Sequence, residues 1–193
     1  MPVMSSIERA FCRSGPWRWV AERYVLPWAL DGVRPTGRVL EIGGGSGAMA
    51  QAMARGFPEA TIIVTDVDDV MVRSASQLLR GMSNVRVERA DVTGLPYDSA
   101  SFDVVTSYLM LHHVIDWEKA LVEAARTLRQ GGLLVGYDLT STALARLVHR
   151  LDGSPHRIIS PVELTQGLDA AGLKDVAVRV SAQGHVMRFS AAK

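Results

Sequence analysis

Four glycines within five positions form the part of this sequence best suited to receive a ligand. They lie in VLEIGGGSGAMA (39–50), between a short apolar run and an alanine-rich run. Glycine adopts positive φ readily and lets a ligand pack against bare backbone. A helix that begins directly after such a turn also offers unpaired N–H groups at its first positions. The turn therefore predicts a binding site whose ligand approaches the main chain.

Two kinds of ligand suit this turn. Read as Gly43-x-Gly45-x-x-Ala48, it matches the dinucleotide fingerprint, in which a helix N-terminus holds a pyrophosphate. Glu41, two residues before the first glycine, is poorly suited to lie beside that anion. A carboxylate there suits a cationic ligand, such as the amino group and sulfonium of S-adenosylmethionine. Alternatively, Glu41 only braces the turn by accepting backbone N–H bonds.

A second carboxylate follows in IIVTDVDD, where Asp66 closes an apolar run. It comes about 20 residues after the glycines, the spacing at which a carboxylate accepts hydrogen bonds from ribose hydroxyls. Both NAD and S-adenosylmethionine contain that ribose, so Asp66 indicates a nucleoside without choosing between them. A surface or helix-capping role is the alternative. Asp68 is better explained as a helix cap, and Asp69 as a first-turn charge.

Strands and helices alternate from residue 38 onward, and they decide where these side chains lie. Short apolar runs predict strands near 38–42, 61–65, 85–89, 102–107 and 133–139, followed by two strands near 174–180 and 185–190 that pair as an antiparallel hairpin. Helices are predicted over 46–55, from a cap at Asp68 to Gly81, from a cap at Asp116 to Gly131–Gly132, and from a capping box at Ser160 to about Ala171.

This order predicts an α/β fold, a Rossmann-like three-layer sandwich. Its sheet has seven strands and is mostly parallel, with an antiparallel strand in the C-terminal hairpin. Ligands of such sheets bind beyond the carboxyl ends of the strands, where strand order reverses. The glycine turn follows the first strand and therefore lies at that edge.

The segment before residue 38 has a different pattern. Ser14-Gly15-Pro16 predicts a helix start, and helical spacing places six apolar residues on one face: Trp17, Val20, Ala21, Tyr24, Val25 and Trp28. Pro27 is expected to kink or end this helix. We predict that residues 1–37 form a helical cap within the same domain as residues 38–193.

Composition narrows the class of protein. The chain has 193 residues, 48% of them apolar and 21% charged, which suits one globular domain. Its net charge of +1 gives no basic surplus for a nucleic-acid partner. One cysteine, Cys12, excludes an intramolecular disulfide and suits a cytoplasmic location. No apolar run is long enough to span a membrane, and charges interrupt the N-terminal segment, so neither stable membrane insertion nor a signal peptide is expected.

Four segments in order, VLEIGGGSG, VTDVD, RADVTGLPYDSASFDVVTSYLMLHHVIDW and ARTLRQGGLLVGYDL, resemble the class I S-adenosylmethionine-dependent methyltransferases. The resemblance is to the small-molecule type, with a methyltransferase type 11-like domain, and covers roughly residues 38–140. It implies S-adenosylmethionine as cofactor and S-adenosylhomocysteine as product. Carried over by position, the implied cofactor-binding residues are Glu41, Gly43, Gly45, Gly47, Asp66, Val67, Asp91, Val92 and Ser107.

The resemblance implies direct displacement at the sulfonium methyl, in which the protein mainly aligns the nucleophile and excludes water. A hydroxyl or ammonium nucleophile also needs a proton acceptor. The sequence identifies no catalytic residue firmly; the candidates are Tyr108, His112 and His156, beside the less suitable His149 and His185. Candidate substrate-binding residues are Trp17, Tyr24, Tyr108 and His156. No metal site is expected, since no His and carboxylate set has convincing ligand spacing.

Several alternatives stay open. We favour an enzyme that methylates a small-molecule acceptor at O, N or C, over a non-catalytic S-adenosylmethionine-binding module. An NAD-dependent oxidoreductase leaves Glu41 and ADVTGLPY unexplained. The N-terminal helix forms a lid, packs on the sheet or contacts a membrane surface. Nucleic acid is not expected as a partner, and a homodimer is left open.

Overall fold

The computed structural model describes residues 14–140, 142, 156–181 and 183–193. Cys12 and His149 lie outside the described residues. The helices are α1 (Gly15–Val20), α2 (Leu26–Leu30), α3 (Ala48–Gly56), α4 (Asp69–Leu78), α5 (Trp117–Thr127) and α6 (Pro161–Ala170). The strands are β1 (Arg38–Ile42), β2 (Thr61–Asp66), β3 (Val85–Arg89), β4 (Phe102–Tyr108), β5 (Leu128–Leu139), β6 (Lys174–Val180) and β7 (Val186–Ala192). A π-helical turn, Ala21–Val25, joins α1 to α2, and a 3₁₀ turn, Leu111–His113, follows β4.

The seven strands form one sheet in the order β3-β2-β1-β4-β5-β7-β6. All neighbouring pairs from β3 to β5 are parallel, and β7 lies antiparallel to both β5 and β6. Strand order reverses between β1 and β4, so the glycine turn lies at the switch point where such sheets bind ligands. The predicted α/β sandwich is confirmed, including its antiparallel strand in the terminal hairpin.

Two apolar layers cover the sheet. One face packs Leu40, Phe102, Leu134 and Phe189 against α5 and α6. The other face packs residues such as Val39, Val64, Val104 and Val135 against the helices from α1 to α4. Side chains alternate between faces along a strand, so Glu41 on β1 shares the face of Val39. We call that face the glycine-turn face.

Two predicted helix starts are confirmed and a third differs. The carboxylate of Asp68 accepts a hydrogen bond from Val70 N at 2.8 Å, and Ser160 forms a complete capping box with Glu163. Asp116 does occupy the position before α5, but its side chain makes no capping hydrogen bond.

The end of α5 was predicted too late. The helix ends at Thr127, and Leu128 is already extended and paired with Phe102 of β4. The Thr127 hydroxyl donates to carbonyls of the last helical turn, those of Glu123 and Ala124. Gly131 N and Gly132 O then bond to the terminal residue, Lys193. The glycine pair therefore belongs to β5 rather than closing the helix.

Pro27 does not end the N-terminal helix, but the helix changes its hydrogen-bonding pattern just before this residue. The chain stays helical to Leu30, with a π-helical turn just before the proline. Proline has no N–H and its ring crowds the carbonyl four residues earlier, and a wider turn relieves both problems. The extra residue in that turn shifts the buried face, so Tyr24 is 58% exposed while Leu26, Ala29 and Leu30 are buried. The regular spacing that places Tyr24 on one apolar face with Ala21 is therefore interrupted by this turn.

The C-terminus of α2 is fastened to the terminal hairpin. Asp31, in the left-handed region directly after α2, forms ion pairs with Arg188 of β7 at 2.9 Å and Arg179 of β6 at 3.1 Å. Arg188 also donates to the carbonyl of Trp28 at 3.2 Å and lies over its ring. Trp28 in turn meets Tyr137 of β5 edge to face. We call this set the Asp31 clamp. No helix among the described residues is long and apolar enough to cross a membrane.

Candidate functional site

The glycine turn is crowded on one flank, where no side chain would fit, and open on the other. Gly43 and Gly45 both have positive φ, 62° and 56°. A Cβ on Gly43 would collide with the side chain of Met110, which follows β4. A Cβ on Gly45 would meet nothing within 4 Å. The turn is therefore closed at Gly43 and open at Gly45, where a ligand can reach the backbone. Gly47 instead lies against Ala75 of α4 and Leu79, which directly follows that helix.

Asp66 braces this turn from the end of β2. Its Oδ2 accepts a hydrogen bond from Gly45 N at 2.9 Å, and its Oδ1 accepts one from Asp68 N at 2.9 Å. Burial raises the pKa of Asp66, and these two N–H groups act in the opposite direction. The bracing role considered for Glu41 is thus performed by Asp66. Each carboxylate oxygen keeps a lone pair for a further donor.

Glu41 is buried without any such support. It is 1% exposed, and its Oε2 has no hydrogen-bond partner. Burial, and then the negative charge of Asp66, raise the pKa of Glu41 to about 8. An unpartnered buried carboxylate is costly, so the fold maintains a strong acceptor beside the open flank of the turn. A cationic ligand fits this position, and an anionic pyrophosphate does not.

Tyr108 ends β4 on the same face as Glu41. Its side chain is buried, and its hydroxyl lies beside that of Thr106, which is two residues back along the strand on the same face. Burial, followed by the charge of Glu41, raises the pKa of Tyr108 well above its ordinary value. The hydroxyl is therefore a neutral donor at the carboxyl edge of the sheet. Ser107, between the two, faces the opposite layer by alternation, and its hydroxyl has no partner.

The residues predicted to meet an adenine lie at the end of β3. Asp91 Oδ1 accepts hydrogen bonds from Thr93 N at 2.8 Å and from the Thr93 hydroxyl at 2.7 Å. Burial raises the pKa of Asp91, but the two bonds from Thr93 outweigh it and leave the pKa below its ordinary value. Asp91 is thus ionised and fixed, with its other oxygen available. Val92 is buried, and the Val67 carbonyl accepts a hydrogen bond from Arg89.

A buried histidine and carboxylate pair lies at the ends of β4 and β5, on the α5 and α6 side. His112 Nδ1 is 2.5 Å from Asp138 Oδ1, and His112 N donates to Asp138 Oδ2 at 3.3 Å. The sequence singled out His112 but missed Asp138. Its signal was an acidic residue at the end of the otherwise apolar run LLVGYDL.

The remaining candidates are dispersed around this edge. His156 is half-buried and lies near the turn that contains His112. The next residue, Arg157, donates its N–H to His112 O at 2.8 Å. Trp17 packs at the border of the glycine-turn face. Tyr24 lies away from it, on the surface against Trp19. Among the described residues, no group of three His, Cys, Asp or Glu side chains is arranged to hold a metal ion.

Residues 40–136 match the family described as a methyltransferase domain. The chain belongs to this family. The match spans the glycine turn, Asp66, Asp91 and the first part of β5, so it confirms the resemblance to S-adenosylmethionine-dependent methyltransferases that the sequence predicted.

Similar proteins carry related names. The "Ubiquinone/menaquinone biosynthesis C-methyltransferase UbiE" of Idiomarina loihiensis is 35% identical over 130 residues, which cover 65% of this chain and 51% of that protein. The chain spans about half the length of the curated relatives it matches. The YcgJ protein of Bacillus subtilis has the same fold, with a TM-score of 0.73 at 22% identity over 90% of this chain and 97% of that one.

A third similar protein was solved with a cofactor in place. It is phosphoethanolamine N-methyltransferase 2 from Haemonchus contortus, in complex with S-adenosyl-L-methionine. Its TM-score is 0.76 at 17% identity, and the alignment covers 91% of this chain and 52% of that chain. At this identity the likeness concerns the fold alone.

Proposed function

We propose that the chain is an S-adenosylmethionine-dependent methyltransferase acting on a small-molecule acceptor, and that the acceptor is a hydroquinone-type ring methylated at carbon. The observation that carries the cofactor assignment is Glu41, a buried carboxylate with an unpartnered oxygen beside the open glycine turn. The named role of the UbiE relative, C-methylation in quinone biosynthesis, supports the acceptor class.

The cofactor-binding residues lie at the ends of three strands, and each strand end is assigned a different part of the ligand. Glu41 faces its cationic end, Asp66 accepts from the ribose while it braces Gly45, and Asp91 accepts from the adenine amine. Val67, Val92 and Gly43 complete the backbone wall. When bound, S-adenosylmethionine supplies a methyl group already activated for displacement, so these residues mainly fix its position.

On the acceptor side, the protein must accept the proton that the acceptor releases. A hydroquinone carbon becomes nucleophilic as a neighbouring hydroxyl is deprotonated, and the ring carbon loses its own proton after it is methylated. The His112 and Asp138 pair is the proton-accepting group that we assign to this task, with Asp138 as a positioning residue. Tyr108 and Trp17 border the edge where the acceptor has to lie, and His156 lies beside His112.

Cofactor binding is tested with three aspartate variants. Asp66→Ala and Asp91→Ala should each weaken the binding of S-adenosylhomocysteine in calorimetry by about tenfold or more, since a hydrogen bond to a charged group contributes about 1.5–3 kcal/mol. Asp69→Ala is the matched control, because Asp69 is an exposed side chain in the first turn of α4. Unchanged affinity in both site variants would remove the assignment.

The acceptor class is tested by transfer of label. The protein is incubated with S-adenosylmethionine labelled in the methyl group and with reduced 1,4-naphthoquinone, which has free ring carbons. We expect label in an organic extract, on carbon rather than on oxygen. Tight cofactor binding with no transfer to ring, phenol or amine acceptors would favour a non-catalytic module instead.

A further inference from the structure

The surroundings of Glu41 make its charge depend on whether a ligand occupies the proposed cofactor site. It lies in the fourth of the five positions of β1, between β2 and β4, and is buried on the glycine-turn face. A Cβ on Gly44 would lie 3.0 Å from Glu41 Oε1, so the carboxyl group is enclosed by the turn itself. Its Oε2 has no donor.

The groups that face Glu41 come from the two neighbouring strands. From β2, Asp66 contributes a second carboxylate, already engaged with Gly45 N and Asp68 N. From β4, Tyr108 contributes a buried neutral hydroxyl. No described Arg, Lys or His side chain forms an ion pair with Glu41. One acid and one phenol are the titratable neighbours, and neither stabilises a negative charge at Glu41 by opposite charge.

A carboxyl group in such a place is favoured in its neutral form. A positive charge brought against Oε2 reverses that preference, because an opposite charge at close range favours the ionised form. S-Adenosylmethionine has two positive centres, an ammonium and a sulfonium. S-Adenosylhomocysteine keeps the ammonium and has lost the sulfonium. The two ligands therefore differ by one of the two positive charges to which this position can respond.

We propose that Glu41 reads the charge of the cofactor: it carries a proton in the free protein, gives that proton to solvent when the sulfonium cofactor binds, and takes one back when methyl transfer has removed the sulfonium charge. The proposal rests on the proposed function. No bond other than this O–H is made or broken at Glu41, and the proton is exchanged with water.

This behaviour has a consequence for turnover. Below about pH 8, where free Glu41 is protonated, the affinity for the sulfonium cofactor should rise with pH, by up to about tenfold per pH unit for one released proton. The affinity for S-adenosylhomocysteine should change much less. The protein therefore prefers cofactor to product more strongly as the pH rises, and uptake of a proton assists release of the product.

The test counts protons by calorimetry at pH 7, in buffers that differ in ionisation enthalpy. Three ligands are compared: S-adenosylmethionine, S-adenosylhomocysteine, and sinefungin, an unreactive analogue with an amino group in place of the methyl sulfonium. We expect release of close to one proton with the two cationic ligands and markedly less with S-adenosylhomocysteine. Equal proton release for all three, or none with S-adenosylmethionine, would overturn the proposal without any variant being needed.

Two variants locate the proton. Glu41→Gln keeps the size of the side chain and should abolish the release on binding S-adenosylmethionine. Asp66→Asn should weaken binding but keep the release. Loss of the release in Asp66→Asn, with retention in Glu41→Gln, would assign the proton to the other carboxylate and refute the proposal. A wild-type protein that binds none of the three ligands would instead refute the proposed function.

Discussion

The His112 ring and the Asp138 carboxylate form a closed pair, 2.5 Å apart from Nδ1 to Oδ1, that joins the turn after β4 to the end of β5. The two side chains are 2% and 0% exposed. A third segment joins the pair, since Arg157 N donates to His112 O. Three chain segments around the proposed acceptor side therefore depend on one histidine and its carboxylate.

Replacing Asp138 by asparagine should impair catalysis more than folding. An amide cannot hold the imidazole in the same tautomer or stabilise its protonated form. We expect kcat to fall by about 10²-fold or more, within the range for general acid–base groups, with a displaced pH–rate profile and little change in cofactor affinity. Asp169→Asn, on the exposed side of α6, is the control. An unchanged pH profile would assign the pair a purely structural role.

Glu41 should also make the stability of the free protein depend on pH. Its pKa is about 8 in the folded protein against an ordinary value of 4.5, so the folded state binds the proton more tightly than the unfolded state. The contribution is complete below about pH 4.5 and is lost as the pH rises to 8, with a magnitude on the order of a few kcal/mol. Glu41→Gln should therefore gain stability over wild type as the pH rises, measured by urea unfolding at pH 5 and pH 8. Parallel curves would show that Glu41 does not titrate in this range.

Gly45→Ala should separate binding from stability. The residue has φ of 56° and faces open space, so alanine costs about 1–2 kcal/mol of backbone strain and places a methyl group where the ligand must approach. We expect a loss of cofactor affinity of more than tenfold. Gly81→Ala is a matched control, because Gly81 has φ of 88°, also faces open space and lies outside the site. If both variants bind the cofactor equally well, the open flank of the turn is not the ligand surface.

The Asp31 clamp should hold α2 in place mainly through Arg188. This arginine is mostly buried and bonds to both Asp31 and Trp28 O, whereas Arg179 is largely exposed. We expect Arg188→Met to lower the free energy of unfolding by about 1–2 kcal/mol and to speed amide exchange over residues 26–30. Arg179→Met should cost less than about 1 kcal/mol, as surface ion pairs do. Equal effects would show that exposure does not decide the strength of the clamp.

Much of this architecture was readable from the sequence because local patterns and tertiary contacts agree. The strand at 38–42, the cap at Asp68 and the capping box at Ser160 each depend on a few neighbouring residues. Side-chain alternation along β1 then places Glu41 on the face that receives the glycine turn.

The features that the sequence did not reveal depend on distant contacts. Asp66 braces the turn through Gly45, 21 residues earlier, and no local pattern indicates that bond. Asp138 was missed because its partner lies on another strand end. The exposure of Tyr24 follows from a π-helical turn that a regular helical period does not anticipate. In each case the outcome depends on a contact between residues distant in sequence, or on a departure from ideal helix geometry, and a local sequence pattern predicts neither.

The Asp31 clamp also bears on the order in which the protein is assembled during synthesis. Its partners are separated by 148 residues from Asp31 to Arg179 and by 160 from Trp28 to Arg188. Strand β7 is inserted between β5 and β6, so the surface that anchors α2 is incomplete until residues 174–192 have left the ribosome. Helix α2 therefore leaves the ribosome long before the strands that anchor it, and the nascent chain presents Trp28 and its apolar neighbours to solvent, and to chaperones, until those strands follow.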